Sequence, residues 1–308
     1  MQTFDTSYSY DRFSFKLGLN DVIISRHPFH LGDKKLLFCI YNDVDEEIIN
    51  TSINLSLNKK IPLRPVPDGK YYLNIYINSG HVFDFKYYAY FQPRSISLLV
   101  KNNRWHFIVA PIININRKVI SKLLTTDKAL LYYQQSSALS QSDNYQIIDL
   151  AKKITRFKIT PMQKILAIHD WVAENIYYDY DALSDRSCDN EEYSAVDVLK
   201  NKKCVCRGYA NLAVALMRAV GIPAVGQRCY ALNIDNDGGW DKEENQSARA
   251  NHIIAIAFVE SRWIYMDITW DSDNRYENGK FIQRTGQGIS RKYFDTTLEM
   301  ISNTHKFV

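Results

Sequence analysis

The sequence predicts an α+β domain preceded by an all-β sandwich, and three observations carry that prediction. The first third is a series of short apolar and aromatic runs cut by turn residues, such as Pro67-Asp68-Gly69 and Asn78-Ser79-Gly80. From Gln146 onward, apolar residues recur at three- and four-residue spacing, the period of a helix with one buried face. Between Asn251 and Asp271 that period gives way to two dense apolar runs joined at Glu260-Ser261, as a hairpin of buried strands requires.

In the first third, residues 34–43 (KKLLFCIYND) and 51–63 (TSINLSLNKKIPL) have strand character, and residues 66–91 hold three more apolar-aromatic runs. Residues 95–113 form a hairpin that turns at Asn102-Asn103, because asparagine tolerates the positive φ of a tight two-residue loop. Several short strands with regular turns predict a β-sandwich domain over residues 1–113. Its histidines, His27, His30, His81 and His106, are dispersed and are expected on the surface or in packing. Residues 114–145 start helix-prone and become rich in Ser and Gln, which predicts a connector.

The second domain is expected over residues 146–308. Residues 145–155 suit a short helix. The next helix begins with Thr160 as N-cap and Pro161 at its first position, where the missing N–H costs nothing. Ile165, Ile168, Trp171 or Val172, and Ile176 supply its apolar face. A third helix follows Cys206, with Tyr209, Leu212, Ala213, Leu216 and Val220 as its buried stripe. Gly221 stands where a left-handed C-cap belongs, and Pro223 prevents continuation.

Composition narrows the function classes. The chain has 308 residues, 46% of them hydrophobic, and 21 tyrosines, enough for two sizeable cores. Its net charge is +4 with basic residues scattered along the chain, whereas nucleic-acid binding concentrates them in a stripe. No run approaches the ~18 apolar residues of a membrane helix. The first residues lack a basic start followed by an apolar core. These features predict a cytoplasmic protein by default, or an extracytoplasmic one if a signal was removed. Oligomeric state is left open.

The five cysteines are Cys39, Cys188, Cys204, Cys206 and Cys229, an odd count that is no disulfide framework. Cys204 and Cys206 sit where a basic loop meets a helix. A Cys-x-Cys pair with no second ligand pair is not zinc spacing, and a bridge between i and i+2 would be strained. Packing suits Cys39 and Cys229. At a helix N-terminus, by contrast, unpaired N–H groups favour thiolate, and Cys206 is the nearer to the helix. A thiolate nucleophile needs a base and a group that orients the base. His252 opens one strand of the hairpin and Asp267 ends the other, so the two meet on neighbouring strands, and the Cys206 sulfur is expected within about 4 Å of the His252 ring. Cys204 is expected to have no catalytic role.

Taken in order, residues 205–224 (VCRGYANLAVALMRAVGIPA), 251–258 (NHIIAIAF) and 262–271 (RWIYMDITWD) resemble the core of the transglutaminase-like superfamily. Residues 164–183 resemble the family's helix before the catalytic segment, residues 194–210 resemble its approach to the nucleophile, and RKYFDTTLEMISNTHKF is similar to the tail of bacterial members. The resemblance spans residues 147–308. It implies a papain-like transglutaminase core, with helices packed on an antiparallel sheet, and assigns Cys206 as nucleophile, His252 as base and Asp267 as orienting carboxylate. It implies thiol-dependent acyl transfer on peptide or protein amides, ending in hydrolysis, deamidation or transamidation, with no cofactor and no metal. Two positions depart from the family: Cys204 replaces a glycine, and His252 is followed by Ile-Ile-Ala rather than Ala-Trp-Asn. The second departure also fits a binding or scaffold protein that keeps the fold without turnover. Tyr209, Trp240 and Trp270 are expected to border the substrate cleft. His169-Asp170 is expected to be structural, as are Tyr177, Tyr178 and Tyr180 unless they line the cleft. The acidic segment 233–251 is expected to be a loop beside the site.

Overall fold

The structure is a computed structural model that describes residues 3–10, 13–26, 36–53, 59–78, 87–89, 96–232, 250–283 and 289–308. His27, His30, His81, Trp240 and nearly all of the acidic segment lie outside these residues. The chain divides into two compact units, Met1–Asn114 with Thr297–Met300, and Ile115–Thr296 with Ile301–Val308.

The first unit is built from β1 (Thr3–Asp5), β2 (Ser7–Tyr10), β3 (Phe13–Leu17), β4 (Asp21–Arg26), β5 (Leu36–Asn42), β6 (Glu47–Ile53), β7 (Lys59–Pro62), β8 (Gly69–Asn78), β9 (Tyr87–Ala89), β10 (Ile96–Lys101) and β11 (Arg104–Val109). Among the described residues one sheet runs β1-β11-β10-β8-β5-β6, with β9 also on β8, and a second runs β2-β3-β4-β7. Every pairing is antiparallel. Alternation decides which face is buried. In β3, Phe13, Phe15 and Leu17 point inward and their neighbours outward. They share one core with Phe38, Ile40, Ile75, Leu98 and Phe107 of the larger sheet, as a sandwich requires. The β10–β11 turn falls at Asn102 and Asn103, with φ of 53° and 59°, the left-handed pair that asparagine accommodates.

The second unit is α+β. Its helices are α1 (Pro111–Ile120, whose first residues belong to the other unit), α2 (Asp127–Tyr132), α3 (Tyr145–Thr155), α4 (Pro161–Asn175), α5 (Tyr180–Ser184), α6 (Ala195–Asn201), α7 (Cys206–Ala219), α8 (Ile268–Asp271) and α9 (Leu298–Ile301, also divided between the units). An antiparallel sheet in the order β19-β16-β15-β14-β20 comprises β14 (Ala224–Ala231), β15 (His252–Val259), β16 (Arg262–Met266), β19 (Phe294–Thr296) and β20 (His305–Phe307). A smaller one, β13-β12-β17-β18, comprises β12 (Tyr177–Asp179), β13 (Lys203–Cys204), β17 (Arg275–Glu277) and β18 (Lys280–Ile282).

Helix α7 packs on β14 and β15 and against α3, α4 and α6. Ten of its fourteen residues are buried, so it runs through the core rather than lying on the surface with a single stripe. Local sequence sets the helix ends. Thr160 and Gln163 form a reciprocal capping box at α4 with Pro161 in the first turn, and Asn144 and Ser194 cap α3 and α6. After α7, Gly221 has φ of 79°, a conformation that costs a side-chain-bearing residue about 1 kcal/mol or more.

Residues 115–144 lie in this second unit and are tied into it by backbone. Ala195 N–H donates to Leu139 O, Ala224 N–H to Tyr133 O, and the Arg218 guanidinium to Gln135 O. No helix among the described residues is long and apolar enough to cross a membrane.

Candidate active site

The site begins with the hairpin. β15 and β16 pair with Ala255 opposite Met266 and turn at Glu260-Ser261, both at positive φ. That register sets His252 at the start of one strand, diagonal to Asp267 just past the end of the other. Their side chains meet, with His252 Nε2 2.9 Å from Asp267 Oδ2. Asp267 is also the N-cap of α8, its Oδ1 accepting from Trp270 N–H at 3.1 Å.

Cys206 arrives from the other side as the first residue of α7. The short β13 holds the approach by pairing in parallel with β12, Tyr178 beside Cys204. The N-cap residue Val205 makes no side-chain cap bond, and within the first turn Gly208 N–H donates to Val205 O at 2.9 Å. The Cys206 thiol hydrogen-bonds to the His252 ring and accepts from the Ile253 backbone N–H. With Nε2 on Asp267, the ring nitrogen left for sulfur is Nδ1. The structure therefore brings together all three residues expected from the sequence. Cys206 is 8% exposed and Asp267 fully buried.

The electrostatics favour a thiolate–imidazolium pair. Burial pushes the Cys206 thiol up, but His252 and the Ile253 N–H outweigh burial and hold it below its ordinary 9.0. Burial would depress His252, yet Asp267 and the Cys206 sulfur raise it to about 10. Asp267 stays far below the usual carboxylate range, because His252 and His305 overcome its own desolvation. The other thiols go the opposite way. Burial raises Cys204 and Cys229 well above 9.0, and Cys39 to about 11.

His305 was not singled out from the sequence. It is fully buried in β20, with Nε2 3.0 Å from the same Asp267 Oδ2. Its only trace in the sequence is membership of the C-terminal tail. His252, Asp267 and His305 also offer metal-type ligand atoms within 4.8 Å of one another. Their N···O separations of 2.9 and 3.0 Å are those of hydrogen bonds, which place protons where an ion would sit.

Residues 148–268 match the family model described as Transglutaminase-like superfamily. Over these residues the chain is similar to the transglutaminase-like superfamily. Two curated relatives are similar over this region: Kyphoscoliosis peptidase of Mus musculus, 24% identical over 151 residues, and that of Homo sapiens, 25% over 146. These matches cover 49% and 47% of this chain but 22% and 20% of the relatives, so the chain spans about a fifth of their length. Among solved structures, a candidate cysteine protease from Cytophaga hutchinsonii aligns over 87% of this chain and 79% of its own, at 18% identity and a TM-score of 0.38. A candidate protease from Parabacteroides distasonis aligns over 75% of this chain and 37% of its own, at 13% identity and a TM-score of 0.31.

Within the second unit the expected cleft residues separate. Trp270 lies at the site, its ring centroid 5.8 Å from that of His252 and 4.6 Å from that of His305. Tyr209 does not border a cleft. It is 1% exposed and its hydroxyl donates to Ile176 O at 2.9 Å, because its position three residues into α7 points it at the end of α4. Trp240 lies outside the described residues. Cys204 is fully buried with no positive φ, so replacing the family glycine brings no left-handed strain. His169 is a buried structural residue, with Nδ1 3.0 Å from Asp170 Oδ1 and Nε2 3.0 Å from Asp271 Oδ2.

Proposed function

We propose that this protein performs thiol-dependent acyl transfer on peptide or protein amides, with Cys206 as nucleophile, His252 as acid and base, and Asp267 as the orienting carboxylate. The observation that carries the proposal is one continuous line of hydrogen bonds from Cys206 through the His252 ring to Asp267, starting at the uncapped end of α7. The family-model match over residues 148–268 adds to it, since papain-like transglutaminase domains host this chemistry. We also place the domain boundary after residue 113, with the sandwich as a separate module.

The Cys206 thiolate attacks the amide carbonyl carbon and forms a C–S bond as the carbonyl oxygen takes the negative charge. Collapse of that intermediate breaks the C–N bond, and the His252 imidazolium gives its proton to the departing amine. A water or an amine, deprotonated by the now neutral His252, then attacks the thioester. The C–S bond breaks, thiolate and imidazolium are restored, and an acid or a new amide leaves. Asp267 keeps its charge throughout, holding the ring and stabilising the imidazolium.

Alkylation by iodoacetamide at neutral pH, followed by peptide mapping, tests this. Cys206 is expected to react at least about tenfold faster than the other four cysteines, since its thiol alone is held below the ordinary range while burial raises the others. Equal rates at all five would sink the proposal and favour the non-catalytic scaffold. Hydrolysis against transamidation is read by mass spectrometry of a glutamine-containing peptide incubated with and without a primary amine.

A further inference from the structure

The Asp267 carboxylate sits in a fully buried position, where an isolated charge would be very costly. It is kept ionised by three donors: Trp270 N–H on Oδ1, and His252 and His305 on Oδ2. The mechanism uses one of these imidazoles and leaves the other without a role.

Hydrogen-bond accounting assigns the state of His305. An ionised carboxylate only accepts, so both imidazoles must donate Nε2–H to it. On its far side His305 Nδ1 meets Thr304 Oγ1 at 2.8 Å, and a hydroxyl can donate there. The Ile301 carbonyl and Asp267 favour a second proton on the ring, but burial, helped by the nearby His252, holds His305 below its ordinary 6.5. The two histidines therefore carry a single positive charge, on His252.

The backbone of His305 is equally constrained. Asn116, fully buried in α1, donates through Nδ2 to His305 O at 2.8 Å and accepts through Oδ1 from Phe307 N–H at 2.6 Å. The same Nδ2 donates to Ser302 Oγ at 2.9 Å. Strand β20 pairs with β14, His305 opposite Ala231. A side chain held on both flanks of its backbone and at both ring nitrogens is a rigid donor.

We infer that His305 is a positioning residue of the site: as a neutral imidazole it donates Nε2–H to Asp267 Oδ2 and holds that carboxylate in line with His252. The inference rests on the triad reading and extends it from three side chains to four. Outer partners of this kind fix the tautomer and orientation of the groups they touch. The titratable groups facing Asp267 are Cys206 from α7, His252 from β15, Cys229 from β14 and His305 from β20. Asp271, at the other end of α8, is bonded to His169.

The test follows the rate of Cys206 alkylation by iodoacetamide against pH in the full chain, with circular dichroism as the check on folding. His305→Phe removes the donor and keeps a ring. It is expected to slow Cys206 about tenfold at neutral pH and to move the acid limb upward, because a carboxylate with one donor fewer takes its proton at higher pH. His305→Gln carries an amide N–H near the Nε2 position and is expected to return both the rate, to within about threefold, and the limb. Thr304→Val removes the hydroxyl from Nδ1 and is expected to cost about threefold; it decides the matter with His305→Gln should His305→Phe fail to fold. Wild-type rate and limb in His305→Phe would overturn the inference. So would a His305→Gln variant as slow as His305→Phe with its limb unmoved, which would reduce His305 to packing. Failure of the triad reading is separately visible in the wild type, as a Cys206 no faster than the other cysteines, and His305 would then have nothing to position.

Discussion

Two buried imidazole–carboxylate clusters hang from the two ends of the four-residue helix α8, and they differ in what the imidazole touches next. At the N-terminal end, His252 has a carboxylate on one nitrogen and a thiol on the other. At the C-terminal end, His169 has carboxylates on both, Asp170 and Asp271, each at 3.0 Å. Neither carboxylate can donate, so both nitrogens of His169 must carry protons, and an imidazolium with no lone pair cannot act as a base. The second cluster is closed in other ways. Arg291 holds Asp170 through two hydrogen bonds, and Ser290 and the Tyr293 N–H hold Asp271. A His–Asp contact is thus no mark of catalysis by itself. What distinguishes His252 is the thiol on its second nitrogen.

The sharpest way to break this comparison is to remove the thiol or the imidazole beside it. Cys206→Ala is expected to abolish turnover and the fast-alkylating site, with circular dichroism unchanged. His252→Ala should lower turnover by about 10²–10⁴-fold, the usual worth of a positioned acid–base group. The equivalent change in the other cluster should do something different. His169→Ala leaves the buried Asp271 carboxylate without its imidazolium partner and is expected to destabilise the fold by about 3–5 kcal/mol, read by urea denaturation. Its Cys206 alkylation profile should keep the wild-type limbs. Loss of the profile without loss of stability would make His169 part of the reactive site.

The pH dependence separates the clusters further. His169 is raised above its ordinary 6.5, its two carboxylates prevailing over burial. A raised pKa contributes stability that is fully present below the unfolded value and is lost as pH rises through the folded one. The stability difference between wild type and His169→Gln is therefore expected to be greatest below pH 6.5 and to shrink on the alkaline side, as measured by denaturation at a series of pH values. The thiol site reads out as reactivity instead. Alkylation of Cys206 should begin below the ordinary thiol value of 9.0 and change character near pH 10, where His252 loses its proton. A profile that simply rises through 9.0 would mean that no ion pair forms.

The two clusters were not equally legible in the sequence. Cys206, His252 and Asp267 stood out because each ends a regular element, and hairpin register alone carries His252 to Asp267. His169-Asp170 gave its dipeptide but not Asp271, which is 102 positions away from His169 and joins it only through the packing of α4 against α8. His305 gave less still, being a lone histidine in a tail with no periodicity. The sandwich was read from turn residues, and its first four strands went unread because residues 1–26 carry no turn signal as strong as Asn102-Asn103. Tyr209 shows the opposite failure. It belongs to the buried stripe by its spacing, and proximity in sequence to Cys206 was a poor guide to the cleft.

The smallest expected effect concerns the approach to the thiol, where two departures from an unconstrained backbone fit each other. A Cβ built on Gly208 would come within 3.0 Å of Cys204 Cβ, Cys204 Sγ and Val198 Cγ2. All three belong to buried residues, so none can swing into solvent. Gly208→Ala is therefore an overpacking change, expected to cost about 1–3 kcal/mol. Cys204→Gly alone opens a small cavity and should also destabilise. Together the two changes place a methyl group in the space vacated by the Cys204 CH2–SH group and leave Val198 Cγ2 as the one close contact, so Cys204→Gly/Gly208→Ala should recover part of the loss, a coupling of about 1 kcal/mol or more that a double-mutant cycle in urea would measure. Strict additivity would show that Cys204 and Gly208 are not packed against each other. Alkylation at Cys206 should persist in all three variants, because Cys204 packs beneath the start of α7 and takes no part in the line from Cys206 to His252.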